Sequence, residues 1–175
     1  MNTTENQNIT IRRAVVTDAD VMANLRRDMQ TELGASPGGH PVPADELVEH
    51  NIAYFREKLP SDDFAAFVAE ASGEIVGTSG IVMYRVPPTG GNPTGIEGFV
   101  MNMYTRPDFR RQGISSRLLE CVVQHARSLG ARRVWLRASQ MGRLVYDSYG
   151  FAHDENYMAY RIEDEQPTKA TDEHR

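Results

Sequence analysis

Arg106-Pro107-Asp108-Phe109-Arg110-Arg111-Gln112-Gly113-Ile114-Ser115 is the stretch on which the reading of this chain turns. On its N-terminal side, Ile96–Thr105 (IEGFVMNMYT) has the composition of a strand, with a break or bulge expected at Gly98. Pro107 has no N–H for a ladder, so the strand ends there. On its C-terminal side Ile114, Leu118, Leu119, Val122, Val123 and Ala126 form an apolar stripe opposite Arg117, Glu120, Gln124 and Arg127. That pattern predicts an amphipathic helix over 114–129, capped by Gly130. A strand running through a glycine into a helix presents unpaired N–H groups and the positive end of a helix dipole. Two arginines stand beside it, which suits a diphosphate. The same spelling also fits a plain strand-to-helix turn with two solvated arginines.

Working outward, Ile9–Ala14 is expected as an opening strand, followed by a helix begun at Thr17 and carried by Val21, Leu25 and Met29. Gly34–Pro43 (GASPGGHPVP) is a loop and a candidate lid, and 44–59 a second helix ended by Pro60. Phe64–Ala71 and Ile75–Arg85 read as a hairpin turning at Ser72–Gly73, with a loop over Pro87–Gly95. Beyond the long helix come a strand over 134–138, a short helix over 142–149 and one or two closing strands over 151–162. The first 8 residues and 163–175 are polar and expected to be disordered, which leaves one domain over 9–162.

Composition excludes several classes. The 175 residues carry a net charge of -5, so no broad basic field exists for nucleic acid or anionic lipid. No apolar run approaches the roughly 20 residues of a membrane helix, and the start lacks a secretion signal, so a cytoplasmic setting is expected. Cys121 is the single cysteine, on the helical pattern, which excludes an internal disulfide. No histidine or carboxylate spacing marks a metal site; His125 falls on the long helix, and His40 and His50 lie near the second.

Arg110-Arg111-Gln112-Gly113-Ile114-Ser115 resembles the acetyl-CoA loop of the GNAT N-acetyltransferase superfamily, [QR]-x-x-G-x-[GA], with Ser115 in place of the last small residue. Leu144-Val145-Tyr146-Asp147-Ser148-Tyr149-Gly150-Phe151 is similar to the family's L-Y-x-x-x-G-F helix, and Leu136–Ser139 to the strand and linker before it. Ser139 stands where many members have asparagine. The resemblance implies an α/β (α+β) fold: a mixed, mostly antiparallel sheet of about six to seven strands flanked by about four helices. Its central strands splay to form the acyl-CoA cleft.

The resemblance further implies acetyl-CoA as co-substrate and direct attack by an amine in a ternary complex. Main-chain groups of Met103, Tyr104 and Thr105 would meet the pantetheine arm. Arg110, Arg111, Gln112, Gly113, Ile114, Ser115 and Ser116 would hold the pyrophosphate, and Ser139 would add a hydrogen bond. The N–H near Met103 would serve the thioester oxygen. Tyr146 would protonate the departing thiolate, with Tyr149 as second choice, and Glu97 is the candidate base. The acceptor is a small-molecule or peptide amine; Asp28, Glu32, Asp45, Glu46 and Glu49 favour a cationic one. A homodimer stays open. So do two other readings: an acyl-CoA sensor without turnover, and an interaction domain.

Overall fold

The computed structural model describes residues 8–34 and 43–158. Its elements follow the order β1 (Ile9–Arg13), α1 (Ala19–Leu33), α2 (Ala44–Lys58), β2 (Phe64–Ala71), β3 (Glu74–Arg85), β4 (Ile96–Thr105), α3 (Ile114–Ser128), β5 (Arg133–Leu136) and α4 (Arg143–Tyr149). The strands make one sheet in the order β1-β2-β3-β4-β5, antiparallel except for the parallel β4–β5 pair. Helix α3 supplies the crossover that a parallel neighbour requires.

Six to seven strands were expected, and five are present among the described residues. The chain from Phe151 to Met158 is irregular, and the rest of the expected closing strands lies outside the described residues, as does most of the candidate lid. Helix α1 does not start at Thr17. A 3-10 turn, Val16–Asp18, precedes it, and the Asp18 carboxylate accepts the Val15 N–H at 2.8 Å and Arg12 at 2.7 and 3.0 Å. The hairpin turns as expected: Ser72 and Gly73 both have positive φ, the geometry that matches the twist of two joined strands.

Two layers cover the sheet. Met22 and Ala23 of α1 and Phe55 of α2 pack on Phe64 and Val68. On the opposite face Leu119, Val122, Val123 and Ala126 of α3 pack on Ala65, Ile81 and Val100. Each such side chain contributes roughly 1.5–3 kcal/mol by leaving water. Gly98 is not a break in β4. A β-carbon there would come within 2.7 Å of Ile81 Cδ1, so the glycine serves close packing inside a continuous strand. The irregularity falls further along. Thr78 pairs with Tyr104 and Gly80 with Met101, which leaves Ser79 opposite both Asn102 and Met103. Asn102 takes the left-handed conformation, φ 55°, that a bulge demands and asparagine tolerates.

Candidate active site

Strand β5 follows β4 only from Glu97↔Arg133 to Val100↔Leu136, while β4 runs on to Thr105. Past Val100 the two strands part. Their paired ends are locked by Phe99 against Trp135, ring centroids 4.5 Å apart, with Tyr157 stacked on Trp135 at 5.4 Å. The gap opens into a cleft of about 660 Å³, bounded by α1, the far end of β4, the start of α3 and α4.

At the α3 end, Gly113 has φ 75° and Arg111 φ 61°, so the backbone curls into a concavity of amides. The first α3 donor with an intrahelical partner is Arg117, bonded to Gly113 O at 3.1 Å. No side chain caps the helix, and among the described residues none of the amides from Arg111 to Ser116 has a protein acceptor. A curled run of unspent donors at a helix N-terminus is an oxyanion cradle. Of the residues named for the loop, Arg111, Gly113, Ile114, Ser115 and Ser116 line the cleft and Gln112 does not. Ser115, the residue that departs from the resembled loop, has its hydroxyl 3.0 Å from Thr105 Oγ1, which pins the helix to the strand.

Arg110 departs from the expected role. Its guanidinium turns back to Glu32 Oε2 at 2.6 Å and to the Thr105 carbonyl at 2.9 Å, and lies over the Tyr104 ring. Tyr104 donates to the other Glu32 oxygen at 2.6 Å. Burial and then that bond push the Tyr104 phenol up to about 12. The Tyr104 bond and the Arg110 partner hold Glu32 below its ordinary range. Because the Thr105 carbonyl is taken by Arg110, it points away from β3. The Thr105 main chain therefore faces the gap, just beyond the bulge that sets Asn102 and Met103 opposite Ser79.

At the other end, Tyr146 is buried within α4 and lines the cleft, its ring 6.0 Å from that of Phe151. Burial raises its phenol above the ordinary value, so it stays protonated throughout the neutral range. Gly142 makes room for it, since a β-carbon there would stand 2.9 Å from Tyr146 Cε2. Ser139 also lines the cleft, but its Oγ accepts the Gly142 N–H at 3.1 Å, so it anchors the start of α4. Tyr149 is no second acid. Burial and a bond to Glu120 on α3 push its phenol up to about 12, outside the cleft lining.

Glu97 is displaced too. Its carboxylate accepts the Tyr84 hydroxyl at 2.9 Å, Tyr84 in turn accepts the Trp135 indole N–H, and Glu97 does not line the cleft. The register explains this: Glu97 sits where β4 and β5 are still paired, several residues before the gap. The acids expected to select a cation fare similarly. Asp28 pairs with Arg27, and Asp45, Glu46 and Glu49 are exposed on α2; Glu32 alone reaches the cleft. His50 is exposed beside Glu46, His40 lies outside the described residues, and desolvation raises the Cys121 thiol.

The residue that sequence reasoning missed is Asn102. It lines the cleft, is 3% exposed, and neither Oδ1 nor Nδ2 of its amide has a partner among the described residues. Such orphaned groups cost about 1–3 kcal/mol each. An asparagine inside an apolar strand, three residues before Thr105, was the available signal, since asparagine is among the side chains that tolerate a left-handed bulge conformation.

The acetyltransferase (GNAT) family matches residues 27–151. The uncharacterized N-acetyltransferase YjgM of Escherichia coli (strain K12) is 26% identical over 156 residues, 87% of each chain. A predicted acetyltransferase of Clostridium acetobutylicum, in a crystal structure with acetyl-CoA, is 29% identical with a TM-score of 0.76, covering 87% of this chain and 96% of that one. A GCN5-related N-acetyltransferase from Ralstonia eutropha JMP134 shares the fold at 20% identity, with a TM-score of 0.77 over 89% of this chain and 99% of that one.

Proposed function

The chain belongs to the acetyltransferase (GNAT) family, and from that premise we propose that it moves an acetyl or other short acyl group from acyl-coenzyme A to a primary amine. The observation that carries this reading is the run of unspent amides from Arg111 to Ser116, opening into a cleft that ends at a buried, protonated Tyr146. The cradle takes the pyrophosphate, and the open side of β4 takes the pantetheine arm through Met103 and Thr105, as a strand edge takes an added strand. Arg110 serves from behind, fixing Thr105 and Glu32 rather than gripping phosphate.

The amine nitrogen attacks the thioester carbonyl carbon directly in a ternary complex. The oxygen, as it becomes negative, faces the Met103 N–H. When the C–S bond breaks, the thiolate sulfur takes the Tyr146 proton. The nitrogen releases its extra proton to water, and a solvent proton restores the phenol. Among the described residues no uncommitted carboxylate or histidine lines the cleft to act as base. The pH profile of kcat/KM should therefore rise to the pKa of the acceptor amine itself, and exchanging acceptors should move that limb.

Calorimetry with acetyl-CoA, together with thiol release over a panel of amines, tests the whole reading. Binding with amine-dependent release is expected. Binding without release for any amine would make the domain a sensor, and no binding would remove the cradle.

A further inference from the structure

Arg26 is a cationic side chain of the cleft wall for which the described residues supply no hydrogen-bond or ion-pair partner. It lies on the inner stripe of α1, between Met22 and Met29, is half-buried and lines the cleft. Among the described residues its guanidinium donates to no carbonyl and pairs with no carboxylate, whereas Arg12, Arg27, Arg56, Arg106, Arg110 and Arg133 all do. The titratable neighbour that acts on it is the Tyr54 phenol of α2, which is uncharged at neutral pH, and burial works against the Arg26 charge. A guanidinium cannot shed its proton to escape this. A cation drawn out of water without a partner is costly, and an incoming anion removes the cost.

The surroundings narrow the identity of that anion. Asp28 is committed to Arg27 and Glu32 to Tyr104 and Arg110. In the reading above the pyrophosphate of the co-substrate goes to the start of α3, not to Arg26. Glu32, which reaches Arg110 beside that cradle, lies six residues further along α1, about 9 Å by helical rise. Arg26 thus stands back from the cradle, on the wall across the sheet from α3. The cleft lining as a whole carries Arg26, Arg110, Arg111 and Arg137 against Glu32 alone, in a chain whose net charge is -5.

We infer that the acceptor is an amine bearing an oxyanion, a carboxylate or a phosphate, which Arg26 grips while the nitrogen reaches the thioester. This deepens the reading above and rests on it. It replaces the cationic acceptor expected from the acidic residues of α1 and α2. The planar fork of Arg26 takes two oxygens at once, which fixes the direction in which the amine points.

Matched pairs test it: glycine against glycinamide, a dipeptide against its amide, and phosphoethanolamine against ethanolamine, with putrescine as the dication. Each is measured by thiol release from acetyl-CoA and by calorimetric titration into the chain loaded with coenzyme A. The anionic member of at least one pair is expected to exceed its neutral partner by roughly 10²-fold in kcat/KM, with putrescine poorest. The carboxylate and phosphate pairs separate the two sources of the oxyanion. Arg26→Gln should abolish the preference through KM, Arg26→Lys should restore part of it, and neither should change acetyl-CoA affinity. Arg26→Met, free of the stranded charge, should melt at an equal or higher temperature without acceptor, which shows that the variants fold.

Equal use of both members of every pair, or a preference that survives in Arg26→Gln, overturns the inference, as does failure of every anionic member to bind or react. Binding of the anionic members with no thiol release from any amine would strike the transferase reading and leave anion recognition by Arg26 standing.

Discussion

Tyr146 and Asn102 show how one cleft wall holds two kinds of buried polar group. The phenol is raised by burial alone and has no carboxylate to draw its proton away, so it is a donor that stays loaded. Tyr146→Phe removes the acid and keeps the ring: kcat should fall roughly 10²-fold or more, with acetyl-CoA affinity unchanged by calorimetry. Full activity in that variant would retire the role. Asn102 carries the opposite burden, an amide with nothing to bond and a backbone in the left-handed region. Asn102→Gly keeps the backbone conformation and deletes the amide, so Tm should rise by about 2–4 °C for each kcal/mol recovered. Turnover should fall, because an unpaired amide in a cleft wall is available to a ligand amide. A lower Tm would show that the orphaned group costs nothing.

At the scale of elements, legibility followed how locally each feature is determined. Helix α3 could be read residue by residue, since Ile114, Leu118, Leu119 and Val122 announce the buried stripe without reference to any other segment. The hairpin at Ser72–Gly73 and the turn at Gly113 were legible for the same reason. The bulge was not. Gly98 looked like the break, but whether a glycine bends a strand or seats Ile81 depends on a neighbouring strand the spelling does not name. Glu97 and Arg110 were misplaced for a related reason. The side-chain type was read correctly as chemistry, while its partners, Tyr84 for one and Glu32 for the other, are distant in sequence. The start of α3 invites its own test. Gly113→Val forces a β-branched residue to φ 75°, which costs roughly 1–2 kcal/mol locally and turns the amides. The KM for acetyl-CoA should rise about 10-fold or more while the protein still folds. An unchanged KM would separate the cradle from the cofactor.

For the molecule as a whole, stability and chemistry draw on opposite faces of the same helix layers. His125 sits on α3 with Nε2 buried and unpartnered among the described residues, its ring edge-on to Phe67. Desolvation, with Arg13 nearby, depresses its pKa below the ordinary value of about 6.5. The unfolded chain therefore binds this proton more readily than the folded one. The stability that His125 contributes is complete above pH 6.5 and is lost as pH falls through its lower folded value. Thermal melts should show Tm declining from about pH 6.5 towards pH 5, and His125→Leu should flatten that limb. A wild-type limb that persists unchanged in the variant would assign it to other groups.

The parting of β4 from β5 after Val100 has one more consequence. In the proposed complex the pantetheine arm meets main-chain groups of β4, and every amino acid except proline supplies the same N–H donor. Met103→Leu, which keeps that side chain's packing on the core, should leave coenzyme affinity almost unchanged, whereas Met103→Pro should register as near-complete loss. A grip made of backbone is invisible to residue-type comparison, so the lineage of such a chain is free to rewrite its letters there and keep its hold.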